Sequence, residues 1–389
     1  MADNFDHFTI HVIDDIQRVP GASWDACAGT DHPFTCHAFL RALERSGSAV
    51  GARGWLPQHL LLYDGGAAPI AVAPLYLKSH SFGEYVFDWG WADAYERAGG
   101  RYYPKLQCSV PFTPVTGPRL MVRPDMSTDA REAARDALAQ GLIDVGRRHG
   151  ISSIHVTFPR RDEWQRLGRH GFLHREGIQF HLTNPGYASF DDFLAQLTSR
   201  KRKQIKRERR EVGERGITLR RLTGREIEPH HWEAFYRFYC NTADKRWGVP
   251  YLEAEFFYEI GETMPEQILL VIAEDPQGRP VAGALNLIGH DALYGRNWGS
   301  DAEFKFLHFE ACYYQAIDFA IERGLSRVEA GAQGEHKIQR GYLPVTTCSA
   351  HWIADPGLAD PVADFLRRER AAVAHQIAGL AESSPYKSS

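Results

Sequence analysis

A single pattern that occurs twice constrains this fold most. Two β-rich runs, Gln58–Asp64 and Pro69–Leu77, flank Asp64-Gly65-Gly66, a hairpin signal. Far downstream, Gln267–Glu274 and Pro280–Gly289 flank Asp275-Pro276-Gln277-Gly278 in the same way. Each hairpin leads to an amphipathic helix, a glycine stop and a short strand. Ile143-Asp144 stands seven residues before Gly150-Ile151-Ser152, and Ile317-Asp318 stands seven before Gly324-Leu325-Ser326. The strands that follow are Ser153–Phe158 and Arg327–Gly331. Helix–Gly–strand alone is a common α/β unit. The hairpin upstream of both copies makes it a duplicated domain.

At 389 residues the chain is too long for one ordinary core, which agrees with duplication. Thr183-Asn184-Pro185-Gly186 is turn-rich and supplies the join, giving domains 1–185 and 186–389. Beyond it, Ser189 caps a helix with Asp192 at the third position. That helix carries Phe193, Leu194 and Leu197 on one side and runs on through Arg200–Arg210, where eight of eleven residues are basic. The spacing predicts one basic entry helix over 189–213. A second helix is expected over 362–380, with Arg367, Arg368 and Arg370 clustered.

Composition excludes several classes. A net charge of -4 argues against a protein that coats nucleic acid or membrane. Six cysteines without a CxxC pair argue against a zinc site and a disulfide framework. Met1–Asp15 holds four acidic residues and no apolar core, so it does not read as a signal peptide. No run approaches the ~20 apolar residues of a membrane span. A cytoplasmic location is the expectation.

The order hairpin, helix, strand, loop resembles the GNAT acetyltransferase fold, and two copies with a basic helix at the join resemble the FemAB-type aminoacyl transferases. Closer still, Tyr76-Leu77-Lys78-Ser79-His80-Ser81-Phe82-Gly83-Glu84-Tyr85, Arg101-Tyr102-Tyr103-Pro104-Lys105 and Pro111-Phe112-Thr113-Pro114-Val115-Thr116-Gly117 resemble a FemAB-like family of N-acyltransferases. So do Leu307-His308-Phe309-Glu310 and Glu329-Ala330-Gly331-Ala332-Gln333-Gly334-Glu335-His336-Lys337. The likeness spans about Asp31 to Ala372. It implies an α/β fold of two tandem GNAT-like domains, each with a mixed, mostly antiparallel sheet flanked by helices. One departure matters. The phosphate-cradling glycine loop of ordinary acyl-CoA transferases has no counterpart in Gly295–Lys305, which argues against a standard coenzyme A pocket.

Acyl transfer to an amine needs the donor carbonyl held near the amine, a base, and a stabilised oxyanion. With no GxSxG elbow and no Cys/His signature, direct attack is favoured over a covalent intermediate. Glu329–Tyr342 is the richest candidate, because glycines 331 and 334 permit a sharp loop after a strand. In a helical turn after Gly334, His336 and Arg340 share a face, and Lys337 with Arg340 forms a cationic clamp for phosphate. Lys337 is expected exposed or in a wet cleft. Its position before Gly341-Tyr342 resembles a cleft lysine of FemAB-type enzymes. Glu310, among Phe309, Ala311, Cys312, Tyr313 and Tyr314, is a candidate base, with facing water or pairing with Arg296 as the alternatives. Glu310, His336 and Lys337 are thus the catalytic candidates. Arg296, His308, Gln333, Glu335 and Arg340 are candidate substrate contacts. In the first half, Lys78, His80, Glu84, Asp88, Arg101, Tyr102 and Lys105 form either an acceptor wall or a buried salt-bridge network that holds the two domains together.

The leading function is N-acyl or aminoacyl transfer to an amine acceptor, a small molecule or a cell-wall precursor. No tightly bound cofactor is expected. The donor is an acyl thioester or an aminoacyl-tRNA, the latter held by Arg200–Arg210. The alternatives are a non-catalytic binding module for a cell-wall precursor or polyanion, and an RNA-binding protein centred on the basic helix.

Overall fold

The computed structural model describes residues 8–387, apart from Trp247 and Gln333. Two compact units emerge, Met1–Gly177 with Thr346–Ala374, and Ile178–Val345 with His375–Ser389. The second unit begins close to the expected join at 185, but the late segment Thr346–Ala374 belongs to the first. Contiguous domains 1–185 and 186–389 are therefore not the compact units. A hydrophobicity pattern gives strand positions but not partners.

The first unit contains β1 (Thr9–Ile13), α1 (Gly21–Ala28), α2 (His37–Arg45), β2 (Trp55–Pro57), β3 (His59–Tyr63), β4 (Ala71–Ala73) and β5 (Leu75–Lys78). There follow α3 (Trp89–Arg97), β6 (Lys105–Cys108), β7 (Met121–Val122), α4 (Thr128–His149), β8 (Ser153–Thr157) and α5 (Arg161–Arg169). Strand β9 (Leu173–Thr183) leads out of this unit. The expected hairpin exists as β3 against β4, but Pro74 splits its second arm. A proline cannot donate to the ladder. So β4 joins a small antiparallel sheet, β1-β3-β4-β7, while β5 joins β2 and β6 in another. In that second sheet β6 runs parallel to β8, and β8 is completed by Ser349–Ile353, antiparallel. Leu60, Leu106, Leu138, Leu142 and Ile154 pack in the core. Helix α4 ends at Gly150 with φ 59°, the left-handed stop read from the sequence.

The second unit contains α6 (Phe190–Gln196), α7 (Ser199–Glu214), β10 (Thr218–Thr223), α8 (Pro229–Arg246), α9 (Ala254–Thr263), β11 (Ile268–Glu274), β12 (Pro280–Ile288) and β13 (Ala292–Ser300). Next come α10 (Leu307–Phe309), a π turn (Glu310–Tyr314), α11 (Gln315–Glu322), β14 (Arg327–Glu329) and a 3₁₀ helix (Glu335–Arg340). Strand β15 (Leu343–Ile353) and α12 (Pro356–Glu382) follow, and most of each belongs to the first unit. The sheet order is β10-β11-β12-β13-β14 and then the end of β9. All neighbours are antiparallel except β13 and β14. The duplication is visible here: β12, β13, α11 and β14 repeat the β5, β6, α4 and β8 of the first unit, including the one parallel pair.

Two expected helices have different bounds. The entry helix is two helices, because Leu197 is extended (ψ 156°), wholly buried and bridged to Tyr386. Ser189 caps α6 as expected through Asp192 N–H, whereas Asp192 accepts from Ala188 and not from Ser189. The expected helix over 362–380 begins earlier, at Pro356, with Pro361 inside it. A proline costs least near a helix start, where few backbone donors have partners.

Candidate active site

In the second unit the chemistry gathers where β14 ends and the π turn begins. A π turn inside a helix is rare and costs hydrogen-bond geometry. Here it carries Glu310, Tyr313 and Tyr314, all buried. Just before it Phe306 holds φ 66°, a strained value for an aromatic residue. Phe309, just before the turn, and Tyr313 within it both meet His336 of the loop after β14. Tyr313 Oη lies 3.0 Å from His336 Nε2, and Arg340 stacks 3.4 Å from the Phe309 ring centre. Arg340 is also ion-paired with the buried Glu208 at 3.0 Å, and Tyr314 donates to the same carboxylate.

Glu329, at the C-terminal end of β14, is buried at 4% exposure. Its Oε1 accepts from Arg327 Nε at 3.0 Å. Its Oε2 has no hydrogen-bond partner and lies 3.6 Å from His181 Nε2. Burial raises this carboxyl to about 7, against the pull of Arg327. Burial also holds His181 neutral, down to about 3, and the charges of Arg327 and Lys337 push the same way. Lys337 Nζ donates to the Gly331 carbonyl at 2.9 Å, and burial lowers its ammonium to about 8. Gly331 and Gly334 take φ 79° and 110°, and a Cβ at Gly334 would stand 2.5 Å from the His336 ring. The glycines are thus needed for the loop itself.

The first unit holds a second cluster. Lys105 is wholly buried and donates to Ser81 Oγ and Glu84 Oε2, each at 2.7 Å, and to Asp88. Tyr102 Oη donates to Asp88 at 2.7 Å and lies 3.3 Å from His155 Nε2. His155 Nδ1 meets His351 Nδ1 at 2.7 Å, and Ser349 Oγ meets His351 Nε2 at 2.9 Å. Lys78 sits 3.5 Å over the Trp55 ring and donates to the Phe82 carbonyl at 3.3 Å. Burial lowers Lys78 to about 7 and raises Glu84 to about 7, while His155 falls to about 3.

Several expectations are corrected by these positions. Lys337 is not exposed or in a wet cleft but 2% exposed, its ammonium held by a carbonyl. Lys337 and Arg340 do not form a free clamp, because Arg340 is committed to Glu208 and Phe309. His336 and Arg340 do meet, through Arg340 Nη1 donating to the His336 carbonyl at 3.0 Å. Glu310 neither faces water nor pairs with Arg296. It accepts from Arg209 at 3.1 Å and Gln315 at 2.7 Å, and burial raises its carboxyl. Arg296 is the extra residue of a bulge, since Leu285 faces Asn297 while Asn286 faces Gly295. Such bulges re-aim a side chain, and the charge of Arg296 is felt at Glu329. His308 packs edge-on against Trp298 and Tyr313. Glu335 is exposed, and Gln333 lies outside the described residues. Lys78, Tyr102 and Lys105 are buried together, while His80 is half-buried against the Arg53 carbonyl at 3.0 Å. Lys105, Glu84, Asp88 and Tyr102 form a buried network, and it lies within the first unit and does not join two domains.

The basic residues of α7 divide by whether they are paired. Lys206, Arg207, Arg209 and Arg210 pair with Asp191, Glu211, Asp318 and Glu214. Arg200, Lys201, Arg202 and Lys203 have no carboxylate partner among the described residues. Sequence reasoning opened its candidate loop at Glu329 without giving that residue a role, and passed over His181, His155 and His351. Glu329 carried a usable signal, a carboxylate closing a strand just before a glycine loop. The histidines carried none.

Comparison with known proteins follows the same lines. A family model described as FemAB-like, peptidoglycan biosynthesis/recognition, matches residues 15–388. No curated protein matches. Among solved structures, FemX is 13% identical with a TM-score of 0.54, covering 91% of this chain and 100% of that one. L-PGS from Bacillus licheniformis is 9% identical with a TM-score of 0.50, covering 86% of this chain and 97% of that one. The C-terminal domain of a putative lysylphosphatidylglycerol synthetase from Agrobacterium fabrum is 9% identical with a TM-score of 0.52, covering 92% of this chain and 96% of that one. At such identities the likeness speaks for the fold. The tandem GNAT-like architecture implied by the motifs is the one present.

Proposed function

Because this chain belongs to the FemAB-like family and is an acyltransferase of tandem GNAT fold, we propose that it transfers an activated aminoacyl or acyl group to a primary amine at the end of β14. The observation that carries this reading is Glu329, a buried carboxylate with one unpartnered oxygen and a pKa of about 7. A base is most effective when its pKa lies near the working pH. In this reading Glu329 Oε2 takes the proton as the amine attacks the donor carbonyl. The Lys337 ammonium stabilises the tetrahedral oxyanion. The C–O or C–S bond to the donor then breaks, and the leaving group takes up a proton. His181, His336 and Arg296 orient the two substrates, and Glu310 holds the π turn against α7.

The acceptor in this proposal is an amine of a cell-wall precursor, as the family's description suggests, with a hydroxyl of phosphatidylglycerol in place of the amine as the other candidate, by likeness to the lysylphosphatidylglycerol synthetase domain. An aminoacyl-tRNA is the donor favoured by the unpaired cations of Arg200–Lys203, which suit phosphates. That donor makes turnover fall steeply with salt, and an acyl thioester does not.

The test is a pH–rate profile with an identified substrate pair. The base must be deprotonated and Lys337 protonated, so kcat/KM should rise through about 7 and fall above about 8. Glu329→Gln should lower kcat by roughly 100-fold or more without changing the circular dichroism. Full activity in that variant would sink the assignment.

A second reading has one specific observation behind it. Lys78 and Glu84 in the first unit both titrate near 7, 4.0 Å apart. If chemistry resides there, Lys78→Met abolishes turnover and Glu329→Gln does not.

A further inference from the structure

Helix α12 lies against the end of α5 and the start of β9 in the first unit, leaving a cavity of about 440 Å³. Its polar rim is Arg169, Arg367, Arg370, His174 and Gln165, and its apolar lining includes Phe172 and Leu366, both buried. No carboxylate lines it. The three guanidinium groups are poorly neutralised. Arg169 is exposed and has no carboxylate partner among the described residues. Arg370 spends one N–H on the His174 carbonyl. Arg367 shares a single carboxylate, Asp364, with Arg368, at 2.8 and 2.6 Å.

The wall is set by close packing. His174 stacks on Trp164 with ring centres 3.7 Å apart and meets the Trp164 carbonyl through Nε2 at 2.8 Å. A Cβ at Gly168 would stand 2.5 Å from His174 Nε2, so only glycine leaves the ring where it is. Arg367 and Arg370, three apart on α12, share a helix face. Planar guanidinium forks bind phosphate oxygens in pairs and are weakly hydrated. An apolar floor under a cationic rim fits a molecule with both parts.

We propose that this cavity is a binding site for a phosphate-bearing organic molecule, its phosphate held by Arg169, Arg367 and Arg370 and its apolar portion seated on Phe172 and Leu366. The site is separate from the β14 residues and does not rest on the acyl-transfer reading.

Isothermal titration of the full chain with hexyl phosphate, inorganic phosphate and hexanol tests it without any turnover. Hexyl phosphate should bind one to one, about tenfold or more tighter than inorganic phosphate, because the floor adds apolar burial. Hexanol should not bind. Arg370→Gln should weaken hexyl phosphate by about tenfold or more. Arg169→Gln should do the same, and since Arg169 is exposed its loss leaves folding intact. Arg148→Gln, an exposed cation on α4, should change nothing. If hexyl phosphate binds, sedimentation with phosphatidylglycerol against phosphatidylcholine vesicles names the source. Retention by the first alone, lost in Arg169→Gln, assigns a lipid headgroup, and no retention assigns a free organic phosphate. Absence of hexyl phosphate binding, or binding equally strong in both Arg169→Gln and Arg370→Gln, overturns the proposal. Equal weakening by Arg148→Gln overturns it too.

Discussion

Lys105 keeps its charge without any water contact because Glu84, Asp88 and Ser81 surround its ammonium. Removing it strands two buried carboxylates, so Lys105→Met should cost about 3–5 kcal/mol in urea unfolding. The neighbouring histidines work the other way. Burial holds His155 and His181 at about 3, whereas both approach 6.5 when unfolded. Between those values the unfolded chain binds more protons, so stability rises with pH there and is lost as pH falls below about 6.5. Glu84 and Glu329, raised to about 7, take up protons in the folded chain over the same range and offset that loss, so the histidine share is read as a difference: between pH 7 and 4 His155→Gln should lose less Tm than the unaltered chain. Individual residues were unevenly legible in the sequence. Lys78, Tyr102 and Lys105 were visible as dense polar positions among aromatics, and His336 and Lys337 as a polar loop between glycines. His155 and His351 were not, since their contact spans 196 positions and no local pattern marks it. The burial of Lys337 was equally hidden, because its partner is a backbone carbonyl.

Secondary-structure elements were legible where a local signal fixed them and obscure where tertiary contacts did. The glycine stops at 150 and 324 and the hairpin at 275–278 follow from backbone chemistry alone. The break between α6 and α7 does not, since Leu197 gives up helix to reach the core and Tyr386. The π turn likewise depends on how Phe309 and Tyr313 meet the loop after β14. Close packing of elements yields a sharper expectation at Gly299 in β13. A Cβ there would stand 2.1 Å from the Phe238 carbonyl oxygen of α8, and backbone cannot turn aside as a side chain can. Gly299→Ala should push α8 off the sheet and cost about 1–3 kcal/mol, read as a fall in the urea midpoint. A midpoint equal to that of the unaltered chain would show that α8 is not held there.

For the whole molecule, the pattern of duplicated elements was readable, but the routing of the chain between the copies was not. The strand that completes the first unit's β8 is Ser349–Ile353, and the strand that completes β14 in the second is the end of β9. A chain ending at 185 lacks that partner for β8 and the helix that covers Trp91 and Tyr102. It should show no cooperative thermal transition by circular dichroism, and a sharp transition would contradict the division into units. During translation the same routing sets a schedule. Residues 346–374 leave the ribosome only after 178–345, so the first unit, although begun earliest, stays incomplete until the second has been made. Over that interval β8 remains an open edge, a place where a nascent chain can pair wrongly.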